Sequence, residues 1–158
     1  MKFQGRHEIA LDQARLWESL HDPEVLAKSI PGCESFDAVE GEEESYQATV
    51  ATRVGPIKAR FNGHVQVENT DPPNAYRLHG GGKAGAAGAA KGDVLITLKP
   101  LTDSSTELQY DASVVVTGRM AQIGAKMMKG ASEAFAGEFF ANLATQAVPD
   151  AGDTAGAG

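Results

Sequence analysis

The chain has 158 residues, 6% of them aromatic and 18 of them glycine, and a formal net charge of -7. That length accommodates one domain with a real core, and the composition builds the core from small side chains. The acidic balance excludes attraction to nucleic acid or to anionic lipid headgroups as an expected mode of binding.

In chain order, Phe3 to Leu11 is predicted as a first strand. The opening MKFQGRHEIALD lacks the continuous apolar stretch of a signal peptide. Asp12 is placed to cap a helix over Gln13–Leu20, with Leu16 and Leu20 on one face. Asp22-Pro23-Glu24 predicts a second helix, Asp as N-cap and Pro at the first helical position, running to Ser29. Pro31-Gly32 ends it. Cys33–Val39 is a predicted strand, and Glu40-Gly41-Glu42-Glu43-Glu44 a solvated turn. Tyr46–Val54 follows with apolar side chains on its even positions. After a Gly55-Pro56 turn, Ile57, Ala59, Phe61, Gly63, Val65 and Val67 alternate with polar residues in the cleanest period-two signal of the chain. Asp71-Pro72-Pro73-Asn74 turns the chain into a strand over Tyr76–Gly82. A glycine-rich stretch leads to a strand through Val94, Ile96 and Leu98. Leu101–Ser105 turns again, and Glu107–Thr117 closes the sheet with Leu108, Tyr110, Ala112, Val114 and Val116 facing in.

Thr117 to Gln146 reads as one long amphipathic helix. Met120, Ile123, Met127, Ala131, Phe135, Phe139 and Leu143 recur at steps of three or four, which places them on one face. Gln122, Lys126, Lys129, Glu133, Glu138 and Asn142 fall opposite. The expected fold class is therefore α+β: one strand, two short helices, about six antiparallel strands, then a long helix across the sheet. Residues 1–146 are expected to form one domain, and 147–158 a flexible Gly/Ala-rich tail. No apolar run approaches the ~18–20 residues that span a bilayer.

The chemistry-bearing motifs are weak. Gly80-Gly81-Gly82-Lys83-Ala84-Gly85 matches GxGxxG, but a strand follows where a dinucleotide site needs a helix. His7, His21, His64 and His79 lack metal-ligand spacing. Cys33, the single cysteine, excludes an internal disulfide, as suits a reducing cytoplasm, and has no CxxC partner. No Ser/His/Asp order stands out. No catalytic residue and no metal ligand is expected.

An apolar void is expected instead. Gly80, Gly82, Ala86, Gly88, Ala90 and Gly92 strip side chains from neighbouring strands, and apolar voids hold apolar ligands. Ile30, Phe61, Leu78, Tyr110, Ile123, Met127, Met128 and Phe135 are the expected walls. Gly82 and Ala90 are the bare positions, and Val94 and Ala112 form the floor. Tyr110 would offer its hydroxyl to a guest. Met127 is expected on the main stripe and Met128 beside the mouth. The plainer reading of the stripe is helix-on-sheet core. An assembly factor with a filled core and a small cyclase or hydrolase remain alternatives.

Several segments occur together in order: Phe3-Gln4-Gly5, Asp22-Pro23-Glu24, Ile30-Pro31-Gly32-Cys33, Val54-Gly55-Pro56 before Arg60-Phe61-x-Gly63, and Gly118-Arg119-Met120-Ala121-Gln122-Ile123-Gly124. With these the chain resembles the carbon monoxide dehydrogenase G-subunit family of the START-like, helix-grip superfamily, over residues 1–146. The resemblance implies a curved sheet of six to seven strands gripping the C-terminal helix. It implies a non-catalytic accessory role beside a molybdenum hydroxylase of the carbon monoxide dehydrogenase type. A bound quinone or lipid would be the guest, with no covalent cofactor and no nucleic acid partner. A cytoplasmic location, peripheral at the inner face of the cell membrane, is implied as well. Many members carry an apolar C-terminal anchor. Residues 149–158 here are polar and Gly/Ala-rich, so membrane association is expected to be indirect or to need a further C-terminal segment.

Overall fold

The computed structural model describes residues 1–147. The expected tail, Pro149–Gly158, lies outside the described residues. Strand β1 spans Lys2–Ile9, and the next two elements begin where side-chain capping dictates. Asp12 accepts a hydrogen bond from the Arg15 amide at 3.2 Å and opens α1, Gln13–Leu20. Asp22 accepts from the Glu24 amide at 2.9 Å and opens α2, Pro23–Ser29, with the proline where no amide is needed. Five strands and a turn-forming set of Gly, Pro and Asn follow: β2 Cys33–Ala38, β3 Ser45–Val54, β4 Ile57–Asp71, β5 Ala75–Lys83, β6 Ala89–Thr102. The last strand and helix are β7 Ser105–Val116 and α3 Ala125–Gln146. All seven strands form one antiparallel sheet in the order β1-β7-β6-β5-β4-β3-β2.

The last helix is shorter than its sequence period suggests. Helix over Thr117–Gln146 was the expectation, and α3 starts only at Ala125. Gly118 has φ +70°, outside the right-handed helical region, and a Cβ on it would lie 2.5 Å from the Gly88 Cα. Two glycines thus let the chain cross itself closely, and a single 3-10 turn over Gly118–Gln122 takes the place of a first helical turn. Ile123 is extended and Gly124 is the N-cap, with no side-chain cap bond. Met120 is buried by this turn and not by the helix.

The same phase settles the two methionines. Met128 lies seven residues before Phe135, ~20° from its direction, and Met127 eight residues before, ~80° away. Accordingly Met128 is 7% exposed and Met127 is 50% exposed, reversing the expected roles. Ala131, Phe135, Phe139 and Leu143 do turn inward, joined by Ser132, Ala136 and Phe140. Asn142, expected outside, is half-buried and donates to the Ser29 carbonyl at 3.0 Å.

The register arranges the inner face in rows of falling size. Leu98 pairs with Leu108, and Tyr76, Ile96 and Tyr110 form the next row. Val67, Leu78, Val94 and Ala112 come next. Then follow Val65, Gly80, Gly92 and Val114, and finally Ala48, Gly63, Gly82 and Ala90. The large end makes the main core with Ile9, Leu11, Leu16, Leu20, Val25, Phe140 and Leu143. A small second cluster, Ile57, Ala59 and Ala87 with Phe61, Ala84 and Ile123, closes the far end. Helix α3 packs closest on α2 and β1 and stands away from the middle strands.

Candidate functional site: an apolar cavity under the last helix

Between those two clusters the stripped rows leave a cavity of about 500 Å³. Ala48, Val50 and Thr52 of β3 form one wall, and Phe61, Gly63 and Val65 of β4 the next. Gly80 and Gly82 of β5, with Ala90, Gly92 and Val94 of β6, make a floor of backbone, and Phe135 of α3 closes the roof. A further space of about 330 Å³ continues toward α1 and α2, bounded by Leu20, Leu26, Ile30, Phe36, Tyr46, Phe139 and Phe140. Ala48, Val50, Val65, Leu78 and Phe135 border both, so the two are lobes of one apolar region. Their size is that of a small-molecule site.

Lys91 and His64 touch the rim of the larger lobe, and the polar groups of the smaller lobe are held or neutral. His21 keeps both ring nitrogens engaged, Nδ1 with the Trp17 carbonyl at 2.7 Å and Nε2 with Asn69 Oδ1 at 2.9 Å. Burial pushes the Tyr46 phenol above its ordinary pKa, with Glu44 and Asp22 adding to the rise. Tyr76 is buried and its phenol is pushed up by desolvation, so it stays protonated. No buried side-chain nitrogen or oxygen lacks a partner among the described residues. Among the same residues no three His, Cys, Asp or Glu gather as a metal site requires. Such a lining can select a guest by shape and apolar area. Among the described residues, no hydrogen bond joins a nucleophile to a base in this lining.

Of the expected wall residues, the structure brings together Ile30, Phe61, Leu78, Gly82, Ala90, Val94 and Phe135 around this region. The other five lie elsewhere. The Tyr110 ring lies over Gly5, where a Cβ would come within 2.6 Å of it, and faces β1. There it stacks at 6.0 Å on His7, which in turn lies 4.6 Å from Phe140. Burial lowers the His7 pKa, and it raises that of Tyr110 with help from Glu133. Ala112 is buried between Val94 and Phe3 in the register. Ile123 belongs to the small end cluster. Met127 covers the Gly55 turn, and Met128 is core. Ala86 and Gly88 sit at the β5–β6 connection and not in a strand wall. Sequence reading missed Ala48, Val50, Val65 and Val114. Their alternation marked them as inward, but only the register shows them beside the glycines.

Several solved structures share this chain's fold. A conserved protein from Geobacillus kaustophilus is 28% identical, with TM-score 0.85, over 92% of this chain and 94% of its own. A START superfamily protein from Mycobacterium smegmatis is 14% identical, with TM-score 0.69, over 92% and 95%. The Zhui aromatase/cyclase from a Streptomyces species is 14% identical, with TM-score 0.59, over 92% and 90%. No curated protein matches the sequence. The family model for the carbon monoxide dehydrogenase G subunit (CoxG) matches residues 5–148.

Proposed function

Since the chain belongs to the carbon monoxide dehydrogenase G-subunit (CoxG) family, we propose that it is a binding protein that holds an apolar small molecule, quinone or lipid-like, between sheet and α3. It does so in service of a molybdenum hydroxylase of the carbon monoxide dehydrogenase type, as an accessory to that enzyme's membrane recruitment or its delivery of electrons to quinone. The observation that carries this reading is the stripped inner face: Gly63, Gly80, Gly82, Ala90 and Gly92 lie beneath a helix that stands off from them. A guest that hides ~300 Å² of apolar surface there gains about 7 kcal/mol before the losses of association.

A core of this kind is an unfavourable arrangement unless something fills it, because voids forfeit packing. The filled-core assembly factor therefore fits less well. An enzyme would need convergent polar groups with shifted pKa values at the guest, and here the tyrosines and His21 sit at the margin.

The test is native mass spectrometry and organic extraction of protein purified from its own host. A co-purifying apolar molecule, displaced by a fluorescent apolar probe, is the expected result. Protein that carries nothing and takes up no probe would refute the reading.

A further inference from the structure

The inner face of the sheet holds a hydroxyl that the fold leaves unused. Tyr76 of β5 stands opposite Ile96, in the row beside Leu98 and Leu108, and is 2% exposed. Its ring is held on the side of α1, edge-on to Trp17 at 5.2 Å and tilted against His21 at 4.6 Å. Among the described residues no group donates to its phenol or accepts from it, and burial alone raises its pKa. Side-chain oxygens sealed from all open space each have a partner. The Tyr76 oxygen has none, so it touches open space, and the space that Tyr76 borders is the smaller lobe.

That placement is unfavourable in the empty protein. A hydroxyl taken out of water and left unpaired destabilises a fold, and an orphaned donor is rarer than an under-used acceptor. The other polar side chains of the lobe stand differently. His21 has both ring nitrogens engaged, and Tyr46 is half-buried against Phe36. Tyr110, the residue expected from the sequence to offer a hydroxyl, faces β1. Tyr76 is therefore a fixed donor in a wall that is otherwise apolar, the arrangement by which small-molecule pockets set orientation. The larger lobe has apolar walls and a floor of backbone, with Lys91 and His64 only at its rim.

We propose that Tyr76 sets both the orientation and the chemical class of the guest: its hydroxyl donates a hydrogen bond to a carbonyl oxygen of a molecule lying head-first in the smaller lobe, with its hydrocarbon remainder in the larger one. The assignment rests on the cavity reading and narrows it, because a pure hydrocarbon of the same shape leaves the donor unpaired. The head then sits at the α1–α2 end, and the remainder runs over the glycine floor toward the small cluster around Ile57.

The experiment compares fluorenone with fluorene, which share a tricyclic skeleton and differ by the ketone oxygen, on the full chain and on Tyr76→Phe. The variant is expected to bind fluorenone about fivefold more weakly, the worth of one neutral hydrogen bond, and to bind fluorene no more weakly than the wild type does. The infrared carbonyl stretch of bound fluorenone is expected to lie lower in the wild type than in the variant, a signature that a merely structural role would not move. Because the deleted hydroxyl has no partner in the empty protein, the variant is expected to melt no lower than the wild type. Equal losses for both probes, an unchanged stretch, or a fluorenone loss that follows Tyr46→Phe instead would overturn the proposal and leave the cavity reading standing. A lower melting temperature of empty Tyr76→Phe would overturn it by exposing a partner within the protein. Uptake of neither probe by the wild type would remove the cavity reading, and this assignment with it.

Discussion

At the scale of single residues, neighbouring glycines of the floor are not equivalent. A Cβ on Gly82 would lie 3.3 Å from the Gly63 Cα and 3.4 to 3.5 Å from Asn62 and Phe61, a tight fit that a shift of a few tenths of an ångström relieves. One on Gly80 would lie 2.6 Å from the His64 carbonyl oxygen, which belongs to the sheet and cannot yield. Gly82→Leu is therefore expected to fold and to abolish uptake of a fluorescent apolar probe, while Gly80→Ala lowers the melting temperature. Unchanged uptake by folded Gly82→Leu would misplace the guest. The methionines offer a second contrast. Met128→Ala is expected to cost ~2–4 kcal/mol in denaturant unfolding, as buried Met truncations do, and Met127→Ala well under half of that. The reverse order would mean that the helix phase is wrong. The sequence could not choose between them, because both are three or four residues from Ala131. Only the loss of helix before Gly124 and the direction of Phe135 separate them.

At the scale of elements, two contacts each tie separate parts of the fold together. Asn142 Nδ2 donates to the Ser29 carbonyl, joining α3 to the end of α2. Asn142→Ala strands a half-buried acceptor and is expected to cost about 1–3 kcal/mol, read as a shift of the unfolding midpoint. On the outer face His79 of β5 bridges Asp93 of β6 at 2.5 Å and Glu68 of β4 at 2.9 Å. These bonds, the Asp93 one first, raise its pKa above the ordinary 6.5. The protonated ring is thus favoured in the folded state. Its stabilisation is fully present below pH 6.5 and is lost as pH rises through the raised value. Melts of the wild type and His79→Gln are expected to differ most at low pH and to converge above that window. A constant gap would show that the bridge acts through geometry and not charge. Sequence periodicity made most of these elements legible, since alternating strands and Asp-capped helices follow from local rules. Both elements with clear caps appear where expected. The register was not legible, because no single strand reveals that Gly63 pairs with Gly82 and Gly82 with Ala90. The size gradient of the inner face is therefore a property of the sheet alone.

For the whole molecule, the division between a large apolar cluster and a small one has a kinetic consequence. Amide hydrogen exchange reports how readily each region opens, and opening is easiest where few apolar contacts must break. The half of the sheet around Leu98, Leu108, Leu16 and Leu143, all nearly inaccessible to solvent, is expected to exchange only on global unfolding. The half around Ile57, Ala59 and Ala87, with the start of α3, opens against much less burial. Its amides are expected to exchange orders of magnitude faster in the empty protein and to slow when a guest bridges Phe135 to the floor. Uniform protection across the sheet would mean that the two halves unfold as one. Slow exchange at the large end and ligand-sensitive exchange at the small one would make the hollow middle a boundary between an anchored half and a breathing half, so that a guest is admitted by fluctuation of one end while the other keeps the fold.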